Sequence, residues 1–308
     1  MLSRACWIVW LLVGPCAQVV AQPREGEPEP PPWYDKAHTL LSGSAQRTAL
    51  WFDHFFGPSD DADQASSHFR LRAQREFIER ESDQWGLRLS AAYYLPQTER
   101  RLKLLLESDE EDEELGDLFT GTGEGTTRAA LRWIPLDRKR WDLSLDLGAS
   151  VDSGIQPFVR GRARYYDNLD QRTLLKASQE LRLQSDEGWS ETTGLNLERH
   201  SDGHALLWRN WLFYGEESDG LEWNSKLSRV EWLNERTALS LFVAASGATD
   251  DPGIQSEIRR LGLTLRQSFL RSWLFYEVEP QLTWPRQYGF DTNLELTLTL
   301  EAQFGQRR

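Results

Sequence analysis

The chain has 308 residues, with 48 acidic and 35 basic side chains and a formal net charge of -13. Such an acidic chain lacks the basic surface that nucleic-acid binding requires, so no nucleic-acid partner is expected. Its two cysteines, Cys6 and Cys16, both lie within the first 21 residues. The remaining chain therefore offers no disulfide, no thiolate metal ligand and no cysteine nucleophile.

Residues 1–21 have the pattern of an export signal. A short segment with Arg4 precedes the apolar run from Trp7 to Val13, and Val19 and Ala21 suit the positions before a cleavage site. The apolar run is shorter than the roughly 20 residues that a spanning helix needs. A lipoprotein signal at Cys16 is the alternative, but Pro15 fits it badly. We predict a signal peptide that is cleaved after Ala21.

An acidic, proline-rich leader at 22–32 precedes an amphipathic helix and linker at 33–64. The helix is predicted from Trp33 to Gly57 because its apolar residues leave one broad apolar side. Its most aromatic part contains Trp51, Phe52, Phe55 and Phe56. These side chains are candidates for contact with the membrane interface, with a periplasmic partner, or with the mouth or base of the domain that follows.

From Ser67 onward, apolar and polar residues alternate in segment after segment, which is typical of strands with one dry and one wet face. Fourteen strands are predicted near 67–78, 86–95, 100–107, 126–135, 140–151, 157–166, 172–184, 188–199, 204–214, 221–231, 236–246, 256–269, 272–284 and 292–304. The segment 100–107 has the weakest pattern, so twelve strands is the alternative. The predicted β-domain spans 65–304 and is followed by a tail at 305–308.

The connections are rich in Asp, Asn, Ser and Gly, which accept turn geometry. One connection, 108–125, is long, acidic at first and then glycine-rich. Tryptophans near the strand ends are predicted to form aromatic girdles at the membrane surfaces: Trp85, Trp133, Trp141, Trp189, Trp208, Trp211, Trp223, Trp232, Trp273 and Trp284.

The strand near 157–166 indicates which face is internal. It places Arg160, Arg162 and Arg164 on one side, and a charged side chain facing lipid at the midplane would cost roughly 2–4 kcal/mol. We therefore expect this arginine row inside a barrel. The neighbouring strand contributes Asp142 and Asp146 to the same interior, and the later strands contribute the acidic residues Glu277, Glu279, Glu295 and Glu301.

Two interpretations of this interior remain open. In one, arginine and carboxylate fill a narrow lumen as paired charges. In the other, unpaired arginines on one wall face acids on the other across an open bore and select charged solutes. The candidate selectivity residues in the second case are Arg160, Arg162, Arg164, Asp142, Asp146, Glu277, Glu279, Glu295 and Glu301.

The last strand, LELTLTLEAQF at 294–304, resembles the C-terminal strand of Gram-negative outer-membrane β-barrel proteins, although Gly305 to Arg308 follow its aromatic end. The resemblance is architectural and covers residues 67–304. It implies an all-β, transmembrane, antiparallel up-and-down barrel reached by export through the periplasm. The implied partners are outer-membrane lipids, lipopolysaccharide and, during insertion, the barrel assembly machinery.

No catalytic, metal or cofactor residues are predicted. His200 and Ser201 are adjacent at a turn, whereas a hydrolytic site needs side chains that converge, and the nucleotide-binding and zinc-helix motifs are missing from the sequence. The acidic run from Asp109 to Glu114 lacks the glycine spacing of a calcium loop. The predicted function is a monomeric channel for small polar or charged solutes. The alternatives are a closed structural barrel that supports the envelope or docks a periplasmic partner through the N-terminal helix and, more remotely, a hydrolase.

Overall fold

A computed structural model describes residues 66–94, 102–108, 127–137, 140–151, 154–170, 172–201, 203–216, 218, 220–250, 253–254 and 256–307. The predicted signal peptide, the leader, the amphipathic helix with Trp51, Phe52, Phe55 and Phe56, and nearly all of the acidic connection at 108–125 lie outside these residues. No helix among the described residues is long and apolar enough to cross a membrane.

The described chain is almost entirely strand, with one short 3-10 turn at Arg286–Tyr288. Its strands are β1 (Ser66–Ile78), β2 (Gln84–Tyr94), β3 (Leu102–Ser108), β4 (Thr127–Asp137), β5 (Trp141–Val151), β6 (Ile155–Asn168), β7 (Thr173–Gln184), β8 (Gly188–Ser201), β9 (His204–Gly215), β10 (Glu222–Asn234), β11 (Thr237–Asp250), β12 (Gly253–Ile254), β13 (Ile258–Ser268), β14 (Leu274–Pro285) and β15 (Asn293–Arg307). The fourteen long strands confirm the predicted number, and the weakly patterned segment forms β3. The two-residue β12 only extends the hairpin after β11.

The sheet closes on itself. Consecutive long strands pair antiparallel, β10 pairs with both β9 and β11, and β1 pairs with both β2 and β15. The closing register runs from Ser66 opposite Arg307 to Ile78 opposite Glu295. The predicted all-β, antiparallel up-and-down barrel is therefore confirmed, and closure leaves none of the fourteen long strands that the structure describes with an open edge.

Both barrel termini lie at one end, which we call the terminal end: β1 begins there and β15 ends there. Because the strands alternate in direction, the turns at 235–236 and 269–273 lie at the same end. The chain N-terminal to β1 therefore enters the barrel at the terminal end.

Alternation along each strand separates an outer face from an inner face. In β5, Trp141 and Leu147 on the outer face expose 49% and 56% of their surface, whereas Asp142 and Asp146 on the inner face expose 4% and 1%. Exposed leucines recur around the outside, as a lipid-facing surface requires. The exposed residues Trp85, Trp133, Trp141, Trp189 and Trp208 agree with the predicted girdles.

Two tryptophans depart from the girdle prediction. Trp211 exposes only 2% of its surface, and its neighbours in the β9 alternation, Ala205 and Leu207, are buried as well. Trp232 packs against Ala238 and Phe275. Trp211 lies three positions after the outward Trp208 on β9, and Trp232 lies two positions after the buried Val230 on β10, so the alternation places both indoles on the inner face.

Candidate functional site: the charged interior of the barrel

The arginine row of β6 lies on the inner face, next to the acids of β5. Direct cross-strand pairing sets Arg164 opposite Asp142 and Arg160 opposite Asp146. Arg160 and Arg164 are buried. Since opposed residues in an antiparallel pair lie close enough for their side chains to interact, opposite charges at these positions stabilise the wall.

Asp146 is shared by the strands on both sides. Its carboxylate accepts hydrogen bonds from Nε and Nη2 of Arg132 on β4, at 2.8 and 3.0 Å, and from Nε of Arg160 on β6, at 2.8 Å. A second acid lies farther along the same wall, where Glu180 on β7 accepts from Nε of Arg162 at 2.7 Å. Arg182 lies 3.9 Å from the same carboxylate.

The interpretation that left the arginine row unpaired is therefore wrong for Arg160 and Arg162. Each makes an ion pair with a carboxylate of an adjacent strand on its own wall. The reason is geometric: a guanidinium forms a charge-assisted hydrogen bond with an opposed carboxylate more readily than it reaches across a lumen.

A second charged cluster lies around Glu301 on β15. Nη2 of Arg266 donates to Glu301 at 2.8 Å and Nε of Arg72 at 3.2 Å, and Arg70 lies 3.8 Å away. Arg266 also pairs with Glu277, which directly opposes it on β14. Glu301 exposes only 1% of its surface, so three guanidinium groups surround a buried carboxylate.

Neutral side chains donate hydrogen bonds to Glu279 and Glu295, the remaining two candidate acids. Glu279 accepts from the hydroxyl of Thr264 at 2.6 Å. Glu295 accepts from Gln281 at 2.8 Å, from Thr283 at 2.7 Å and from Asn293 at 3.0 Å.

The closed strand order places the two groups of candidates on opposite walls. From β6 to β14 there are seven steps along the sheet in either direction, through β10 and β11 or through β1 and β15. The row of Arg160, Arg162 and Arg164 thus lies across the barrel from Glu277 and Glu279. The structure brings the predicted residues together as two facing walls, each with its own internal ion pairs.

One buried interior charge, Lys103, was missing from the sequence prediction. Lys103 exposes 1% of its surface, although the run around it in β3 is almost continuously apolar. Its alternation with Leu102 and Leu104 is the signal that could have identified it. Lys176 and His200 both contact Glu198, at 3.1 and 3.5 Å, so the imidazole of the histidine considered for hydrolysis is directed at a carboxylate on its own strand.

No protein-family model matches the chain, and no curated protein matches it significantly. Several solved structures, in contrast, have a similar fold. The CymD monoaromatic hydrocarbon channel has a TM-score of 0.50 at 8% identity, over 86% of this chain and 95% of that chain. The fold is that of an outer-membrane β-barrel protein. With the apolar outer face, it assigns the chain to the outer membrane of a Gram-negative cell.

Two further solved structures are also similar to the chain. OmpT of Vibrio cholerae has a TM-score of 0.46 at 10% identity, over 77% of this chain and 97% of that chain. OccK11 (OpdR) of Pseudomonas aeruginosa has a TM-score of 0.40 at 12% identity, over 78% of this chain and 95% of that chain. At these identities the likeness concerns architecture and does not extend to solutes.

Proposed function

We propose that the chain is a monomeric outer-membrane channel for small polar or charged solutes, which it selects by the charge of its interior. The observation that carries this proposal is the placement of the β6 arginines across the barrel from Glu277 and Glu279. Facing walls of unlike charge orient and select ionic solutes in a narrow aqueous path. CymD, which has a similar fold, is itself a channel.

The ion pairs within each wall modify how this selection works. Arg160 and Arg162 have carboxylate partners, but the β4–β7 wall carries more arginines than acids: Arg128, Arg132, Arg160, Arg162, Arg164 and Arg182 against Asp142, Asp146 and Glu180. Arginine stays charged in proteins, so this wall retains positive potential at any physiological pH. We expect a preference for anions.

Reversal potentials in a planar bilayer test the proposal. Under a KCl gradient, the wild-type channel should prefer chloride, and the double variant Arg160→Ala with Arg162→Ala should shift the reversal potential towards cation preference. Leu147→Ala on the outer face is the matched control and should leave the potential unchanged. An unchanged reversal potential in the double variant would contradict selection by this wall.

A closed barrel that serves the envelope or docks a periplasmic partner is the second candidate. The low exposure of Asp146 and Glu301 favours it, because charges beside a wide aqueous bore would be wetter. Under this candidate, the protein should remain silent in the bilayer. Contact with outer-membrane lipids and lipopolysaccharide through the apolar outer face, and insertion by the barrel assembly machinery, are proposed for both candidates.

A further inference from the structure

The outer face carries a group of hydrogen-bonded polar side chains on four consecutive strands. We call it the polar outer stripe, and its members are Gln179 on β7, Glu191 and Thr193 on β8, Asn210 on β9 and Ser225 on β10. Asn210 points outward because the next residue, Trp211, is buried on the inner face, and the same alternation holds on the other three strands. The outward residues of the following strand, β11, are instead Leu239, Leu241, Val243 and Ala245. The stripe therefore interrupts the apolar surface of the barrel.

The stripe lies at the depth of the lipid hydrocarbon. Gln179 is the seventh of the twelve residues of β7, and Asn210 is the seventh of the twelve residues of β9. On the same outward face of β9, Leu206 and Leu212 are exposed on either side of Asn210. A transmembrane strand needs about 9–11 residues to cross the bilayer, so the centres of these strands lie far from water on both sides.

Hydrogen bonds join the members of the stripe to one another. Nε2 of Gln179 donates to Glu191 at 2.8 Å, and the hydroxyl of Thr193 donates to Oε1 of Gln179 at 2.9 Å. The hydroxyl of Ser225 donates to Oδ1 of Asn210 at 2.8 Å. These bonds hold the polar groups in fixed positions on the outer surface.

The bonds within the barrel do not use all of the polar groups of the stripe. A primary amide has two N–H donors. Among the described residues, Nε2 of Gln179 donates only to Glu191, and Nδ2 of Asn210 donates only to the backbone carbonyl of Leu195, at 3.1 Å. Lipid tails accept no hydrogen bond, and a carboxylate such as that of Glu191 destabilises a lipid-facing surface. Contact with a polar surface is therefore more favourable for the stripe than contact with lipid.

We propose that the polar outer stripe is the contact surface between two copies of this chain in the membrane. The proposal goes beyond the proposed function and leaves it intact. Each barrel encloses its own interior, so a pair consists of two monomeric channels side by side.

The stripe is complementary to a second copy of itself. Both copies are inserted with the same orientation, so the two-fold axis of a pair runs along the membrane normal and brings residues of equal depth together. Thr193 on β8 and Asn210 on β9 each lie five residues from the end of their strand that is opposite the terminal end. An axis at the boundary of these two strands places Thr193 of each copy against Asn210 of the other. A hydroxyl and an amide both donate and accept, so the two contacts are reciprocal.

Cysteine cross-linking in the outer membrane of a Gram-negative host tests the contact. Full-length chains with Thr193→Cys and with Asn210→Cys carry different epitope tags and are produced in the same cells, and a short bis-maleimide is added to the isolated membranes. The matched control pair is Leu131→Cys with Leu147→Cys. These exposed, directly opposed leucines on the outer faces of β4 and β5 each lie four residues from the corresponding strand ends.

We expect at least about tenfold more product with both tags from the stripe pair than from the control pair, because association raises the effective concentration of the two thiols. Chains without an added cysteine should give no product. Absence of the doubly tagged product would overturn the proposal. Equal yields from the stripe and control pairs would overturn it as well, since they would indicate random collisions.

A second variant tests whether the polar side chains hold the pair together. Gln179→Leu with Glu191→Leu, introduced into both cysteine chains, should lower the yield about tenfold, because the side chains that associate poorly with lipid are removed. The barrel should still fold, which heat-modifiable gel migration checks, since leucine is compatible with lipid. Gln267→Leu, at an outward glutamine of β13, is the matched control and should leave the yield unchanged. An unchanged yield in the double leucine variant would contradict the role of the stripe.

Single-channel recording keeps this proposal separate from the channel function. The double leucine variant should conduct like the wild type, because its substitutions lie outside the lumen. A protein that gives the doubly tagged product but stays silent in the bilayer would refute the channel and support the contact. A conducting protein without that product would do the reverse.

Discussion

The Asp146 cluster and the Glu301 cluster both compensate a buried negative charge, but they lie in different parts of the barrel. Each holds a buried carboxylate between arginines on an inner wall, with Arg132 and Arg160 around Asp146 and with Arg72 and Arg266 around Glu301. The two clusters differ in the number of residues along the sequence between the carboxylate and its arginines. Arg132 and Arg160 are each fourteen residues from Asp146, whereas 229 residues separate Arg72 from Glu301.

This difference assigns distinct tasks to the two clusters. The Asp146 cluster joins three consecutive strands and can form as soon as two hairpins exist, because loop closure over short distances costs little entropy. In the Glu301 cluster, the contacts of Arg70 and Arg72 with Glu301 join the first strand to the last and can form only when the barrel closes. One cluster thus organises a wall, and the other stabilises the closing seam.

Glu301→Gln should produce the largest loss of stability. It removes the charge that compensates three guanidinium groups across the closing strands, and breaking a buried ion pair in this way costs about 4–5 kcal/mol. The free energy of unfolding by urea in detergent micelles measures the loss, and the refolding rate should fall as well. A loss below that of Asp146→Asn would contradict the assignment of Glu301 to the seam.

Asp146→Asn should cost somewhat less, about 3–4 kcal/mol, because it leaves two buried arginines without their shared carboxylate and does not affect the closing strands. The same urea titration measures this loss. The variant should also shift the reversal potential towards stronger anion preference. If the potential moves the other way, the β4–β7 wall does not govern selectivity.

Gly148→Ala tests how tightly the wall around Asp146 is packed. A Cβ at this position would lie 2.4 Å from the carbonyl oxygen of Ala129 and 2.7 Å from Phe158, so overpacking should destabilise the barrel by about 1–3 kcal/mol. Gly161→Ala on β6 is the matched control, since a Cβ there meets nothing within 4 Å. Equal free energies of unfolding for the two variants would show that the residues around Gly148 shift enough to accommodate the added methyl group.

Asp170 lies exposed in the turn after β6 and can be compared with the buried acids Asp146 and Glu301. Its replacement by Asn should lower the free energy of unfolding by the smallest amount. Hydrogen bonds from the backbone N–H of Arg172 and the hydroxyl of Thr173 lower the pKa of its carboxyl group. Its stabilising effect is therefore complete above the ordinary aspartate pKa and is lost as the pH falls through the lowered value. The difference in stability between wild type and Asp170→Asn should shrink on acidification; a constant difference would contradict this assignment.

The sequence by itself determined the strands and their faces, because an alternation of two residues is a local property that each strand carries independently. It placed the β6 arginines and their neighbours Asp142 and Asp146 on the inside, and it predicted fourteen strands. The same rule, applied strictly, would have turned Trp211 and Trp232 inward and identified Lys103. The two tryptophan errors arose from reading tryptophan as a marker of the membrane surface regardless of its place in the alternation, and Lys103 was missed because the run around it is almost continuously apolar.

Only the tertiary structure decided which charges meet. The pairing of Arg72 with Glu301 and the position of β6 opposite β14 both depend on the register between strands and on closure. Alternation does not encode these properties, because sliding a strand by two residues preserves its faces but changes every lateral partner. The sequence therefore determined what lines the barrel, and closure of the sheet decided which of those residues face or contact one another.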